Sequence, residues 1–328
     1  MLVLNGEDVR RALPMAEAIA GMKRAFAALS EGRVVMPHRA HLGIERHGGV
    51  SLVMPAYVDI ESGEALAVKV VSLFDHNAER GIPRIQAAVV AFEPETGRPL
   101  ALLEGATLTA IRTGAASGAA TDLLARPDSR VAAIFGAGVQ ARTQLEAVCT
   151  VRTIESVRIC DPRPDAVEGF IADLAAQSPI PDDLRAADPR EAVADADIVC
   201  AATTSAEPVF DDADLKPGAH VNAIGSYQPH VQEIPAATVA RALVVVDSRE
   251  AALEETGDLI QPIAQGLFGP DHIHAELGEL VLGRAAGRTS PGQVTLFKAV
   301  GVAVQDAVAA SIALSRAADL GLGQAVAW

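Results

Sequence analysis

Two glycines and an aspartate, spaced as in nucleotide-binding motifs, are the residues of this chain whose chemistry is easiest to name. Gly136 and Gly138 follow the apolar run Val131–Phe135, and Asp161 comes 23 residues after Gly138 at the end of a second apolar run. Gly136 permits a tight turn, Gly138 lets a pyrophosphate approach a helix N-terminus, and Ala141 keeps that helix close to the strand. Asp161 can accept hydrogen bonds from a ribose 2′-OH. The spacing predicts a dinucleotide site, with a methyltransferase-like nucleotide site as the alternative.

Two basic side chains interrupt apolar surroundings in the first third of the chain. Lys69 lies within ALAVKVVSLF, and Arg112 follows Ile111 in a run of small residues. A charge in such a stretch is costly unless it has a partner, so neither residue is typical of a solvated surface cation. A small carboxylate in a partly dry cleft needs charge-assisted, preferably bidentate donors, which these side chains can supply.

The elements around these cations predict a first domain built on a β-sheet. Apolar residues at helical spacing predict a helix over Pro14–Glu31, and the small-residue segment predicts another over Thr107–Ala125. Strands with turn signals between them are expected at Arg39–Ile44, Val50–Met54, Ala65–Phe74, Gln86–Phe92 and Leu100–Glu104. This arrangement indicates an antiparallel sheet placed before the nucleotide-binding region.

Beyond Asp161 the pattern alternates strand and helix, as a doubly wound sheet requires. A helix is expected at Ala166–Ala176, and strands at Ala196–Ala202, His220–Ile224 and Leu243–Val246. Ligands of such sheets bind outside the carboxyl ends of the strands, where Thr203, Thr204, Gly225 and Ser226 stand. The long Ala-rich helix after Gly301 is expected to return to the first domain. We therefore predict an α/β fold, with a Rossmann-type parallel sheet over 119–299 and a discontinuous α+β domain over 1–118 and 300–328.

Composition excludes several classes of partner. A formal net charge of −15 and only 3% aromatic residues argue against nucleic acid or an anionic membrane. Cys149, Cys160 and Cys200 have no metal-ligand spacing, and His272 and His274 lack a third ligand, so no metal site is expected. The sequence shows neither a membrane span nor a signal peptide, and a reducing cytoplasm is the expected location.

Six segments give the chain a resemblance to the ornithine cyclodeaminase/mu-crystallin family. They are VMPAYV at 53–58, AVKVVS at 67–72, LTAIRTGAASGAA at 108–120, the FGAGVQA turn, GSYQPHVQEI at 225–234 and TLFKAVGVAVQD at 295–306. The resemblance implies an NAD(P)-binding Rossmann domain and a substrate domain that forms a homodimer. It also implies chemistry at a carbon that bears an amino or imino group, which excludes the methyltransferase alternative.

The resemblance also implies roles for individual residues. Arg39, Lys69 and Arg112 match the basic side chains that hold the substrate carboxylate in this family. Lys69 is the candidate proton donor, ahead of His230 and Tyr227. Besides the glycine turn and Asp161, the residues expected to contact the cofactor are Thr113, Val139, Gln140, Arg163, Thr203, Thr204, Gly225, Ser226 and Lys298.

Two departures from the family pattern bear on the reaction. Ornithine cyclodeaminases carry Glu where this chain has Leu52, and Asp where it has Tyr227. Without those carboxylates, the distal ammonium of ornithine would be buried unpaired, at a cost of several kcal/mol. The chain instead resembles the branch that reduces cyclic ketimines such as Δ1-pyrroline-2-carboxylate and Δ1-piperideine-2-carboxylate.

Asp161 and Arg163 point to different cofactors. The carboxylate of Asp161 would repel a 2′-phosphate and bind ribose hydroxyls, which favours NAD(H). Arg163 could accept a 2′-phosphate, which makes NADP(H) the alternative.

Other functional classes stay open from sequence alone. A cyclodeaminase for ornithine or lysine would need another acid, such as Asp75 or Asp247, to reach the distal amine. An alanine dehydrogenase acting on a keto acid and ammonia, and a non-catalytic mu-crystallin-like binding protein, are the remaining alternatives.

Overall fold

The computed structural model describes residues 1–61 and 63–327, and the chain divides into two compact units. Unit 1 comprises residues 1–112 and 302–328, and unit 2 comprises residues 113–301. The sequence-based prediction placed the first boundary after residue 118, six residues later. The boundary falls inside a continuous helix, where no break in the residue pattern marks it.

The helices and strands have the following bounds. The first part of the chain forms β1 (Leu2–Leu4), α1 (Gly6–Ala12), α2 (Met15–Ser30), β2 (Val34–Val35), β3 (Ala40–Ile44), β4 (Gly49–Ile60), β5 (Gly63–Phe74), β6 (Ile85–Phe92), β7 (Pro99–Glu104) and α3 (Gly105–Leu124). The middle part forms β8 (Val131–Phe135), α4 (Val139–Val151), β9 (Ser156–Cys160), α5 (Pro164–Leu174), β10 (Leu184–Ala186), α6 (Pro189–Ala194), β11 (Ile198–Ala201), β12 (His220–Ala223), α7 (Ala236–Arg241), β13 (Leu243–Val246), α8 (Arg249–Glu255), α9 (Gly257–Ala264), β14 (Ile273–Glu276), α10 (Leu277–Val281) and β15 (Thr295–Lys298). The last part forms α11 (Ala303–Leu320) and β16 (Gln324–Ala325).

Unit 1 is built on a mostly antiparallel sheet with the order β16-β1-β7-β6-β5-β4-β2, and β3 also pairs with β4. The long hairpin of β4 and β5 places Met54 opposite Lys69, which in turn lies opposite Val89 of β6. Helices α2 and α11 pack against this hairpin. The predicted strands are present, but β4 continues to Ile60, and the short strands β1 and β16 were not predicted because each is only two or three residues long.

The two faces of this sheet differ in burial, as strand alternation requires. Leu52 and Met54 of β4, and Lys69 and Val71 of β5, are buried on the face that α11 covers. The side chains between them lie on the opposite face and are partly exposed. Lys69 is therefore placed on the inner face by the same alternation that buries its apolar neighbours.

Unit 2 is a parallel sheet with the order β10-β9-β8-β11-β12-β15-β13-β14. Apolar side chains fill both of its faces: Ala133 and Phe135 of β8 belong to one core, and Ala132 and Ile134 to the other. Burial on both faces explains why its strands are continuous apolar runs. The predicted Rossmann-type sheet is confirmed.

The sequence-based prediction did not include strand β15 of this sheet. Thr295–Lys298 was predicted only as a segment leading into the last helix, but it forms β15, a buried strand between β12 and β13. Four residues give too short a pattern to separate a strand from a helix start.

Within the described part of the chain, no helix has the length and apolar character that crossing a membrane requires.

The small residues of α3 allow a close approach to α4 within unit 2. A Cβ added to Gly114 would lie 2.4 Å from the carbonyl oxygen of Thr143, whereas one added to Gly169 of α5 would meet no atom within 4 Å.

We expect Gly114→Ala to lower the free energy of unfolding by about 1–3 kcal/mol through overpacking. Gly169→Ala should instead raise it by roughly 0.5–1 kcal/mol, because Ala is the better helix former. Urea denaturation of both variants checks this pair, and equal shifts would contradict the packing described for α3.

Candidate functional site

Three buried charged side chains form a cluster inside unit 1. The Nζ atom of Lys69 lies 2.7 Å from Oδ2 of Asp306, and Nε of Arg112 donates to Oδ1 of the same carboxylate at 3.0 Å. Lys69 and Asp306 are each 1% exposed and Arg112 is 5% exposed. One carboxylate thus holds two cations that are 43 residues apart in the sequence.

Local features of the sequence set the positions of Arg112 and Asp306. The Glu104 carboxylate accepts hydrogen bonds from the N–H groups of Ala106 and Thr107, which fixes the start of α3 two turns before Arg112. Asp306 lies in the first turn of α11, where the helix dipole favours a negative charge. Gln305 completes the arrangement: its Oε1 accepts from Nη1 of Arg112 and from the N–H of Val302, each at 2.8 Å.

The protonation of Lys69 depends on its neighbours. Burial lowers the pKa of Lys69 to about 8, even though Asp306 acts in the opposite direction. The positive charges of Arg112 and Arg39 contribute to this lowering of the pKa, so Arg39 affects the electrostatics of this cluster from its half-buried position before β3. Below about pH 8 the ammonium form of Lys69 predominates.

The cluster of Lys69, Arg112 and Asp306 carries a net charge of +1 when all three are ionised. A surplus positive charge away from water is unfavourable unless an anion joins it. A carboxylate ligand would supply that anion and accept charge-assisted hydrogen bonds. The structure brings together Lys69 and Arg112, two of the residues predicted to bind the substrate carboxylate.

The glycine turn of unit 2 joins β8 to α4. Gly136 has φ of +95°, and a Cβ added there would lie 2.6 Å from the carbonyl oxygen of Ala202, so only glycine fits. Gly138 is the N-cap of α4 and has no side chain to accept the first N–H groups of the helix. A Cβ added to Gly138 would meet no atom within 4 Å. The N–H groups of this turn can therefore face an anion such as a pyrophosphate.

Asp161, at the end of β9, is tied to this turn. Its Oδ2 accepts from the N–H of Ala137 at 2.9 Å, and its Oδ1 accepts from the N–H and Nε of Arg163, both at 3.0 Å. Burial alone would raise the pKa of Asp161, but the hydrogen bonds from Arg163 and Ala137 outweigh it and lower the pKa. The carboxylate is therefore ionised at neutral pH and lies beside the turn, as a ribose-binding acid must.

The residues that follow β11 and β12 differ in the hydrogen-bond partners and the exposure of their side chains. Oγ1 of Thr203 donates to Glu233, and Oγ of Ser226 donates to the carbonyl oxygen of Val231, so neither hydroxyl is directed toward a ligand. Thr204 is exposed. A cofactor contact by Thr203 or Ser226 stays a prediction, and the N–H of Thr203 also donates to Glu233.

The remaining predicted cofactor residues lie on α4, α3 and β15. Val139 and Gln140 lie in the first turn of α4 and Val139 is 64% exposed, while Thr113 is buried in α3. Lys298 is a predicted cofactor contact in the segment that leads into the last helix. It is fully buried at the end of β15, with Nζ 2.9 Å from Oδ2 of Asp258. This ion pair accounts for its charge, and a direct contact between Lys298 and a cofactor stays a prediction.

Sequence reasoning missed three buried acids that bind these residues: Asp306, which holds Lys69 and Arg112, Asp258, which pairs with Lys298, and Glu233, which accepts from Thr203. Asp306 lies among apolar residues in VAVQDAVAAS, the same signal that identified Lys69, and it could have been paired with the cations on that basis. Asp258, in TGDLI, and Glu233, in VQEIP, lie in mixed polar and apolar surroundings, where the sequence does not mark them. His272 and His274 each donate through Nε2 to a backbone carbonyl oxygen, and the described residues contain no group of three or more His, Cys, Asp or Glu that could hold a metal.

Comparison with known proteins places this geometry in a family. The model of the ornithine cyclodeaminase/mu-crystallin family matches residues 1–320. The chain is 40% identical over 327 residues to a Delta(1)-pyrroline-2-carboxylate reductase of Bacillus cereus, with 99% of each chain covered.

Solved structures give the same result. Thermococcus litoralis Delta(1)-pyrroline-2-carboxylate reductase in complex with NADH and L-proline is 43% identical, with a TM-score of 0.94 over 99% of this chain and 100% of that chain. An archaeal alanine dehydrogenase dimer with bound NAD is 31% identical, with a TM-score of 0.92 over 100% of this chain and 99% of that chain. The resemblance predicted from the sequence is confirmed over nearly its whole length. The chain belongs to the ornithine cyclodeaminase/mu-crystallin family.

Proposed function

We propose that the protein is an NAD(P)H-dependent oxidoreductase that reduces a small cyclic imino acid to the cyclic L-amino acid. Its substrate is Δ1-pyrroline-2-carboxylate or Δ1-piperideine-2-carboxylate. The buried surplus positive charge of Lys69 and Arg112 around Asp306 carries this proposal, because it calls for an anionic ligand. The full-length similarity to reductases that are named for such an imine supports the choice of reaction.

The surroundings of the cations favour an apolar ring over a second amine. Leu52 is buried on the same face of the hairpin as Lys69, and it pairs with Val71, the next inward residue of β5. A cyclodeaminase of this family has a carboxylate at the position of Leu52. An apolar side chain there suits the methylene groups of a pyrroline or piperideine ring, and it offers no partner to the distal ammonium of ornithine.

The chemistry divides between the cofactor and the side chains. When bound, NADH supplies the hydride that the imine carbon accepts, and the ring nitrogen gains a proton in the net reaction. Arg112 and Lys69 bind the substrate carboxylate and orient the C=N bond. Lys69 is our candidate for the proton donor, because a pKa of about 8 leaves its ammonium charged, yet able to release a proton near neutral pH.

The direct test is NADH and NADPH oxidation with Δ1-pyrroline-2-carboxylate, Δ1-piperideine-2-carboxylate, and pyruvate plus ammonia offered separately. Ammonia release from ornithine is assayed beside them. We expect oxidation with a cyclic imine. Activity only with pyruvate and ammonia would instead establish an alanine dehydrogenase, and ammonia from ornithine would contradict the interpretation of Leu52.

A pair of arginine variants tests the carboxylate-binding role. Arg112→Ala removes a buried charged donor, and we expect kcat/KM for the imine to fall by about 100-fold, or roughly 2.7 kcal/mol, with NADH affinity unchanged. Arg98→Ala is the control, because its side chain is 68% exposed at the turn between β6 and β7. Near-normal turnover in Arg112→Ala would rule out the proposed carboxylate subsite.

NADH is the proposed preferred reductant, with NADPH as the alternative. Asp161→Asn keeps an oxygen that can accept from the N–H of Ala137 but removes the charge that repels a 2′-phosphate. We expect the ratio of kcat/KM for NADH to that for NADPH to fall about 10-fold. Arg163→Ala should shift the ratio in the opposite direction, because it removes the cation that could bind the 2′-phosphate. An unchanged ratio in both variants would show that neither residue selects the cofactor.

We further propose that the protein forms a homodimer through the outward face of the unit 1 sheet. Val53 and Val70 pair across β4 and β5 and are 36% and 41% exposed. Val68, Val90 and Leu102 continue this apolar face across β5, β6 and β7. Contiguous apolar surface of this kind usually marks an interface, and the archaeal alanine dehydrogenase of the same fold is described as a dimer.

Size-exclusion chromatography with light scattering tests the dimer. Val70→Asp would place a charge in the middle of the proposed interface, so we expect it to give a monomer. Leu267→Asp is the matched control, because Leu267 is 53% exposed and belongs to unit 2, not to this sheet, and should leave the dimer intact. Dimerisation of Val70→Asp with wild-type stability would show that another surface forms the interface.

A cytoplasmic location is part of the same proposal. Cys149, Cys160 and Cys200 are all free thiols, which is compatible with a reducing compartment. Cell fractionation tests it, and recovery of the protein outside the cytoplasmic fraction would refute it.

A further inference from the structure

A second buried charged cluster lies in unit 2 and takes no part in the proposed chemistry. Glu233 and Lys298 are 0% exposed and Asp258 is 1% exposed. Charges this far from water are retained at a considerable free-energy cost, so each must be held by specific partners. The partners of Glu233 are the ends of two neighbouring strands.

Glu233 joins the loops that follow β11 and β12. Its Oε1 accepts from the N–H and from Oγ1 of Thr203, both at 2.7 Å, and its Oε2 accepts from the N–H of Gly225 at 2.8 Å. A Cβ added to Gly225 would lie 2.4 Å from Oε1 of Glu233, so glycine is required for this contact. One carboxylate therefore fixes the backbone at two adjacent carboxyl ends of the parallel sheet.

Asp258 in turn fixes Glu233. Its Oδ1 accepts from the N–H groups of Glu233 and Ile234 at 2.6 and 2.9 Å, and its Oδ2 forms the ion pair with Lys298 at the end of β15. Because β15 pairs with β12, the cluster spans three successive strand ends, those of β11, β12 and β15. Asp258 and Lys298 thus link the two strand ends that Glu233 joins to the end of β15.

We propose that Glu233 is a positioning residue for the nicotinamide half of the cofactor, acting through the backbone of Thr203 and Gly225. The inference rests on the proposed function. In doubly wound sheets the first glycine turn takes the pyrophosphate, and the strand ends beyond it take the second half of the dinucleotide. Those strand ends are the ones that the Glu233 carboxylate joins.

The charge state of Glu233 gives the inference a pH signature. Burial raises the pKa of Glu233, Asp258 raises it further, and Lys298 and the hydrogen bonds from Thr203 oppose the rise. Above its pKa the carboxylate accepts all three hydrogen bonds. Below it, a proton on the carboxyl group would compete with donors that already face it. NADH affinity should therefore decrease as the pH falls through the pKa of Glu233.

Glu233→Gln tests this role, because the amide has nearly the same shape but must turn an NH₂ group toward one of the donors. We expect the Kd for NADH to rise at least about 10-fold, with the Kd for ADP-ribose changed less than about twofold. ADP-ribose shares the adenine and pyrophosphate groups but lacks the nicotinamide. The KM for the imine should stay near that of the wild type, and the acid-side loss of NADH affinity should disappear. Glu168→Gln, on the exposed side of α5, is the matched control.

Thr203→Val is the second variant, for the case in which Glu233→Gln does not fold. It removes the hydroxyl that donates to Glu233 and keeps the backbone contact, so it should weaken NADH binding in the same sense but less. Equal losses for NADH and ADP-ribose, or unchanged NADH affinity, would overturn the positioning role. Failure of the wild-type protein to bind NADH at all would overturn the proposed function itself, and the inference with it.

Discussion

The arrangement of unit 1 depends on one buried carboxylate, that of Asp306. Its two oxygens hold Lys69 of β5 and Arg112 of α3, and α11 carries it onto the inner face of the sheet. Two buried cations without this acid would repel each other at low dielectric. With it they keep a surplus of one positive charge, which suits the carboxylate of a small imino acid. The return of the chain to unit 1 after unit 2 is therefore what makes the proposed substrate site complete.

Unit 2 uses carboxylates in a different way. Asp161 binds the N–H of Ala137 in the glycine turn, and Glu233 binds the N–H groups of Thr203 and Gly225. Each acid fixes backbone at the carboxyl end of a parallel strand, where ligands of this fold bind. Acids thus shape the proposed cofactor site mainly by fixing its backbone, while in unit 1 an acid orients the side chains that bind substrate.

Most of the architecture could be predicted from sequence, because long strands and helices leave periodic patterns. The strand Val131–Phe135, the turn at Gly136 and the buried charges at Lys69 and Arg112 are all visible in the residues themselves. Short elements such as β15 leave no such pattern. The partners of the cations could not be derived either, since Asp306 is 237 residues from Lys69 and only the fold brings them together. The ion pair of Lys298 with Asp258 could not be derived from the sequence for the same reason.

The pH dependence of kcat/KM for the cyclic imine, in wild type and in Asp306→Asn, tests the central claim most directly. Lys69 loses its proton as the pH rises through about 8, so kcat/KM should decline above that pH in the wild type. Asp306 raises the pKa of Lys69, so its replacement should move the decline to lower pH. Titration of the imine itself affects both proteins equally. Identical profiles would contradict a role for the Asp306–Lys69 pair in binding or protonating the substrate.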